Sequence, residues 1–577
     1  MNDIRRSILW VVLGLSLVLI WDKWQVHHGQ QPTFFPLSVD PAAAPVAAPA
    51  AQPLPQAAPA PGVAAVGLPT PIAVAGPLAA TPVGAPTPAL LQHEISTDVL
   101  QLIFNSEGGS LIGARLPHHA QAVGTRRGEV DTPLTLLTQT AQNTYVAQTG
   151  LIGGNFPTHK TPMTLVPGNS TLADGQNELQ VRFESPEIDG VQLVKTYTLR
   201  RGSYVIDVRH EVHNRSGAPV SPQLYLQLVR DGSQLESDTP FYATFTGPAV
   251  YTEAQKYQKI YFADIRDSSA TFEKVTSDGF VAMVQHYFAS AWLLADGVAR
   301  ENFARQVAPN LYAVGTISAL PAIAPGQSHS MQSRLFVGPQ YETLLETIAP
   351  GMVLLKDYGW LTILAKPLYW LLEKIHGFVG NWGWAIVLLV VLIKAAFYWL
   401  NASAYRSMAK MKKVNPRIME MRERLKENPQ QMQQEMMKMY REEKVNPLGG
   451  CFPILIQIPV FIALYWVLLS SVEMRNAPWM GWITDLSTPD PFFVLPLVMT
   501  VTTVIQTALN PLPPDPLQAK LMWMMPLIFS VMFFFFPAGL VLYWITNNLL
   551  TIAQQAYINN KMGVPLKITN PFELFKK

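Results

Sequence analysis

The stretch from Trp382 to Leu400 limits what this chain can become more than any other. It reads Trp-Gly-Trp, then a run of mostly branched apolar residues, then Lys394, then further apolar and aromatic residues to Leu400. About nineteen residues at a rise of ~1.5 Å each cover the hydrocarbon core of a bilayer. Trp382 and Trp384 suit one membrane interface and Trp399 the other. Lys394 lies roughly 18 Å along such a helix from Trp382, inside the apolar zone. An ammonium there costs about 2.5–3.5 kcal/mol. Either the lysine snorkels to the inner surface or it faces a wet cavity, and the two readings imply different functions.

The chain is 49% hydrophobic and 14% charged, with 14 Trp and 21 Met, which is the profile of a membrane protein. Its net charge of +2 conveys little, because the charges are segregated. A single cysteine, Cys451, excludes a disulfide framework and a cysteine metal site. No phosphate-binding Gly-rich loop, His-Glu-x-x-His or Gly-x-Ser-x-Gly occurs. The adjacent histidines His27-His28 and His118-His119 read as solvated loops rather than metal ligands. The expectation is a protein that is not an enzyme, with no catalytic residues, no cofactor, no metal and no direct nucleic-acid partner.

Arg5-Arg6 precede an apolar run, and no small-x-small cleavage site follows it closely. Residues 1–29 therefore read as an uncleaved signal anchor, spanning at about 7–21, with the N-terminus cytoplasmic. Residues 30–92, rich in Ala and Pro, read as an extended tether. From 93 to 340, period-2 runs alternate with turn residues. Val99–Phe104, Leu179–Phe183, Val191–Leu199, Tyr204–Val212, Gln223–Val229, Val281–Leu294 and Ser330–Val337 are examples. This spacing predicts a large antiparallel β-sandwich without a catalytic constellation, acting as a scaffold or docking domain or else holding a cleft for sugar or peptide.

Residues 341–380 carry Ile363, Leu364, Leu368, Leu371, Leu372, Ile375 and Phe378 on one side and Lys366, Glu373, Lys374 and His376 on the other. That pattern suits an amphipathic helix lying in the interface. The second span is placed at 381–400. The loop 401–446 has eleven Lys/Arg and six Glu, so it should be cytoplasmic. It reads as a helical hairpin broken at Glu427-Asn428-Pro429. Met408, Met411 and Met421 lie on one apolar stripe, and Met432, Met436 and Met439 on another. These stripes are either the hairpin's own seam or a flexible surface that grips varied hydrophobic segments.

Further spans are placed at 447–471, 491–509, 520–536 and 537–560, separated by an outer loop at 472–490 and an inner loop at 510–519. A basic tail at 561–577 places the C-terminus inside. The fold class expected is α+β: six transmembrane helices, five of them a core, plus the periplasmic β-sandwich. Lys394, Gln457, Gln506 and the Tyr543/Asn547/Gln554 stripe put polar groups at depth in the core. Singly they can be interhelical glue. Together with an intramembrane lysine and no Asp or Glu in any core span, they favour a hydrated cavity.

Several stretches carry a family resemblance. They are Met408-Ala409-Lys410-Met411-Lys412, Met421-Arg422-Glu423-Arg424-Leu425, Asn446-Pro447-Leu448-Gly449-Gly450-Cys451 and Phe536-Pro537-Ala538-Gly539-Leu540. They resemble the YidC/Oxa1/Alb3 membrane insertases, and the whole layout resembles their Gram-negative form. The resemblance implies a groove among five helices, open to cytoplasm and lipid and closed outside. Lys394 stands where the family usually has arginine; Val390 and Trp544 stand where some members have a substrate-contacting threonine and a second tyrosine. It implies an inner-membrane insertase and chaperone for nascent membrane proteins, acting alone or with the Sec translocon, in contact with membrane lipids. The hairpin and tail would recruit the nascent chain or, weakly, the ribosome. A solute transporter and a membrane-anchored periplasmic sugar- or peptide-binding protein are the competing readings.

Overall fold

The structure is a computed structural model, and it describes residues 91–121, 132–233, 244–425, 428–443, 452–510 and 516–563. The expected N-terminal anchor, nearly all of the tether, the Asn446–Cys451 motif and most of the basic tail lie outside those residues.

Two antiparallel sheets of nine strands each form the β-domain. In spatial order the first sheet runs Gln92–Ser96, Gln101–Asn105, Ser110–Ala120, Pro133–Gln139, Thr144–Ile152, Gln223–Asp231, Leu311–Ala319, Arg300–Ala308 and Val275–Thr276. The second runs Lys256–Lys259, Gly247–Thr252, Phe280–Gln285, Phe288–Leu294, Ser328–Pro339, Val205–Asn214, Val191–Arg200, Glu178–Glu184 and Thr164–Leu165. Strands with one face toward solvent follow the alternation that marks them in sequence: in Glu178–Glu184, Leu179, Val181 and Phe183 point inward and their neighbours outward. Central strands do not, because both their faces are covered; Phe280–Gln285 and Phe288–Leu294 are buried throughout. The expected single run Val281–Leu294 is in fact a hairpin turning at His286-Tyr287.

Phe104, Phe183, Phe336 and Trp292 fill the space between the sheets. Lys195 lies among them, fully buried. Its ammonium donates to the carbonyls of Gly108 at 2.6 Å and Thr149 at 2.8 Å. Gly108 has φ +68°, and a Cβ there would stand 2.4 Å from the His159 carbonyl oxygen, so the turn after Gln101–Asn105 admits only glycine.

We label the helices in chain order: α1 Phe262–Arg266, α2 Glu342–Ile348, α3 Thr362–Val379, α4 Trp382–Ala396, α5 Tyr398–Arg424, α6 Pro429–Glu442, α7 Phe452–Ser470, α8 Val494–Leu509, α9 Pro516–Met532 and α10 Ala538–Lys561. The α3 helix packs on α4 and α7 through Ala365, Tyr369 and Leu372. Leu364, Leu368, Leu371 and Ile375 are only partly buried. Ile363 (88% exposed), Trp370 and Phe378 (92% exposed) point away from the protein. The apolar side read from the sequence is thus split. Small and tyrosyl side chains fit the helix crossing, and the bulkiest apolar groups are left for another surface.

The stretch Trp382–Leu400 is not one straight helix. Asn381 caps α4, its side chain accepting from the Trp384 N–H at 3.1 Å. At Phe397 the backbone leaves helical geometry (φ −90°, ψ 13°), and α5 departs at 68° to α4. Among the described residues no single helix is both long and apolar enough to cross a membrane; α4 and α5 meet that test only as a bent pair.

The α5–α6 hairpin closes on Val414, Ile418 and Met421, with Met411, Leu425, Met436, Met439 and Tyr440 packed around them. Arg417–Glu443 at 2.7 Å and Arg424–Glu435 at 3.0 Å flank this seam.

Candidate functional site

A small open cavity lies beside the bend between α4 and α5. Val390, Ile393, Lys394, Phe397, Leu400 and Asn401 line one side; Gln457, Val460, Tyr543 and Asn547 line the other. Five of the seven groove residues singled out in the sequence meet here: Lys394, Val390, Gln457, Tyr543 and Asn547. The geometry follows from helix period. Val390 and Lys394 are four residues apart on α4, as are Tyr543 and Asn547 on α10, so each pair shares a face.

Lys394 is 9% exposed, and its ammonium donates to Thr551 Oγ1 at 2.9 Å. The Thr551 hydroxyl donates in turn to the Asn547 carbonyl at 2.7 Å. Gln457 Nε2 donates to Asn547 Oδ1 at 2.8 Å. The polar groups therefore join α4, α7 and α10 across the cavity. The Lys394 ammonium lies against the bundle interior, on α10.

Gln506 and Trp544 do not line the cavity. Gln506 sits half-exposed on α8. Trp544 meets Phe461 edge-on at 4.5 Å and Phe533 at 4.9 Å, one residue round the helix from the Tyr543 face. The α8–α10 contact is zipped instead by Asn548, donating to Thr503 Oγ1 at 2.9 Å and Thr502 Oγ1 at 3.2 Å. Adjacent asparagines thus serve different ends: Asn547 faces the cavity and Asn548 glues helices. Sequence reasoning missed Thr551, although its i, i+4 spacing from Asn547 and i, i+8 spacing from Tyr543 place it on the same face.

The six methionines divide. Met411, Met421, Met436 and Met439 belong to the hairpin seam, and Met408 and Met432 are half-buried. Met419 and Met437, on neither expected stripe, are the exposed ones.

The far end of the bundle is covered by residues 472–490. Thr488 and Leu486 accept, through their carbonyls, the N–H groups of Ala538 (2.7 Å) and Gly539 (2.9 Å) at the start of α10. Asp490 accepts from the N–H of Leu495 at 2.8 Å and from Trp482 Nε1 at 2.9 Å. Asn381 donates to the carbonyls of Pro478 and Trp479, both at 3.1 Å. Orphan helix-start groups of α8 and α10 are thereby satisfied by one loop that lies over the helix ends.

Residues 92–371 match the family model described as the YidC periplasmic domain, and residues 374–564 match that of the 60Kd inner membrane protein. The chain is 54% identical to the membrane protein insertase YidC of Cupriavidus metallidurans over 97% of its own length and 98% of the relative's. It is 53% identical to that of Cupriavidus necator, with the same coverage. A crystal structure described as an active YidC insertase with its first transmembrane domain resolved covers 80% of this chain and 91% of that one, at 19% identity and a TM-score of 0.36. The two Cupriavidus relatives and the family models support insertion rather than periplasmic ligand binding. The chain belongs to the YidC family of membrane protein insertases: a non-enzymatic inner-membrane protein with a periplasmic β-sandwich and a helical part that acts on nascent membrane proteins.

Proposed function

We propose that insertion runs through the cavity beside Lys394, used as a groove open to cytoplasm and lipid. A short hydrophilic segment of the substrate enters it and rests near the ammonium. The low-dielectric path left to cross is shorter, and less desolvation of polar peptide is required. The adjoining apolar segment then moves into lipid along α7 and α9, driven by hydrophobic transfer. The observation that carries this reading is a buried cation held by a neutral hydroxyl, with no acidic residue in the neighbouring spans. Residues 472–490, which lie over the helix ends, support closure on the outer side.

In this reading the chain crosses the membrane six times, with both termini cytoplasmic. The α4–α5 bend then marks where the second span leaves the hydrocarbon. The outward Ile363, Trp370 and Phe378 of α3 rest in the outer interface. The hairpin recruits nascent chain or ribosome through its exposed surface, Met419 and Met437 included, and the Sec translocon is a partner for larger substrates.

Photocrosslinking of ribosome-stalled chains tests this directly. Probes at Gln457 and Tyr543 should capture substrate, whereas one at Met525, exposed on α9, should capture lipid-phase segments only. Lys394→Arg should insert normally and Lys394→Glu should fail with acidic-loop substrates. Equal insertion by both variants, or chains that pass without touching Gln457 and Tyr543, refutes the groove.

A further inference from the structure

Lys394 is not free in the resting groove. Its ammonium is tied to Thr551, and Thr551 offers only lone pairs, because its single proton is already given to the Asn547 carbonyl. The hydroxyl is therefore a pre-oriented acceptor aimed at the cation, also hydrogen-bonded to Tyr405, on a residue only 5% exposed. A neutral hydroxyl is a weaker partner for an ammonium than a carboxylate, whose charge-assisted bond is roughly twice as strong. Any acidic group entering the cavity competes for the same protons and wins, whereas an amide or hydroxyl has no advantage over Thr551 and is held without displacing it.

We infer that Thr551 is the resting partner of Lys394 and sets how strongly the groove prefers acidic over neutral polar segments. It is a positioning residue: it holds the ammonium beside α10 until a substrate carboxylate takes its place. This rests on the groove reading above. Two features of the geometry make the role specific. Thr551 shares its helix face with Tyr543 and Asn547, so the parked ammonium already points at the cavity rather than at the membrane surface. The same hydroxyl bonds the backbone carbonyl of Asn547, whose side chain holds Gln457, so release of Lys394 leaves the Gln457–Asn547 bridge between α7 and α10 intact. The device lowers the groove's grip on acidic segments. A substrate must displace an internal ligand to be held, and a segment so held can leave again when Thr551 recaptures the cation.

The test compares two stalled nascent chains that differ only in carrying Asp or Asn in the translocated loop. The full-length protein sits in inverted membrane vesicles, with a photocrosslinking probe at Val460, which lines the cavity but takes no part in the hydrogen-bond chain. Thr551→Val removes the acceptor at nearly constant volume. It should raise the Asp-to-Asn crosslinking ratio by at least about tenfold, the low end of what a hydrogen bond to a charged group is worth. Thr551→Ser should restore the wild-type ratio. In a Lys394→Met background Thr551→Val should change nothing, a dependence that mere loss of packing would not produce. A Thr551→Val ratio equal to or below wild type, with both chains still crosslinked, overturns this inference and leaves the groove standing. If neither chain reaches Val460 in the wild-type protein, the groove reading fails and this inference falls with it. Should Thr551→Val not accumulate, Thr551→Ala is held to the same ratio.

Discussion

The ammonium of Lys356 lies 3.2 Å from Glu473 Oε2 and 3.7 Å from the centre of the Tyr369 ring, with its side chain wholly shielded from solvent. Glu473 also accepts from the Tyr369 hydroxyl at 2.6 Å. Three segments meet in this cluster: the turn leaving the β-domain, the α3 helix and the loop after α7. Nearby, His286 Nε2 bonds the Leu469 carbonyl at 2.9 Å, and Arg475 donates to the carbonyls of Ala120 and Gln121, both at 2.6 Å. The β-domain is thus fastened to the helices by polar contacts. Burial pulls the Lys356 ammonium below the usual lysine range, and Glu473 opposes that shift.

Breaking this pair should be costly, and deleting it should not. Glu473→Gln leaves a buried cation without its counter-charge, which costs about 3–5 kcal/mol. The double variant Lys356→Met/Glu473→Leu should recover most of that loss. Thermal unfolding of the detergent-solubilised full chain measures both. Equal stability of the Glu473→Gln variant and wild type would show that the pair contributes nothing.

The β-domain should grow more stable as pH rises through neutrality. Burial draws Lys195 down to about 7 in the folded state, against about 10.4 in an unfolded chain. Between those values the unfolded state holds a proton that the folded state lacks, so stability increases with pH across the window and levels off below about 7. The slope approaches 1.36 kcal/mol per pH unit, about the free energy of one pKa unit. Hydrogen exchange over residues 191–200 at pH 7 to 9.5, below the range where tyrosines ionise, reads it. Lys195→Met should flatten the curve.

Gly383 is where the cover formed by residues 472–490 has no room to spare. A Cβ there would stand 2.2 Å from Trp479 Cδ1, so Gly383→Ala must push the indole out of place. Overpacking of this kind costs about 1–3 kcal/mol. A cysteine placed at the buried Ala385 in a Cys451→Ser background should become reactive to a membrane-impermeant thiol reagent only when Gly383→Ala is present.

The α5–α6 hairpin should separate seam from surface. Ile418→Ala empties a fully buried position and should cost about 2–5 kcal/mol, seen as lost amide protection across residues 414–440. Met437→Ala, at an exposed site, should stay within about 0.5 kcal/mol of wild type. If the hairpin captures substrate, Met437→Ala should lower nascent-chain crosslinking to α6 without that loss of protection.

Much of this was legible in the residues. Val191–Arg200 and Glu178–Glu184 announce themselves because a strand with one face on the core and one toward solvent must alternate, and that alternation needs no knowledge of partners. Phe280–Gln285 and Phe288–Leu294 merged into one expected run because strands covered on both faces lose the period that would separate them. The polar residues of α10 were legible as a set but not one by one. Asn547 and Asn548 are alike in sequence, and only the packing of α7 on one side and α8 on the other assigns one to the cavity and one to the helix seam.

What the chain's order of residues determined alone is local and compositional: an apolar stretch with a lysine at depth, strands bounded by turns, a basic hairpin, and no acidic group among the core spans. These follow from periodicity and the cost of burying charge, which act within a few residues. Tertiary structure alone decided that Lys394 meets Thr551, 157 positions away, that Lys356 meets Glu473, and that the helix turns aside at Phe397. Each depends on which faces of distant helices come together, and a hydrogen bond or buried ion pair is made only when both partners arrive within about 3 Å.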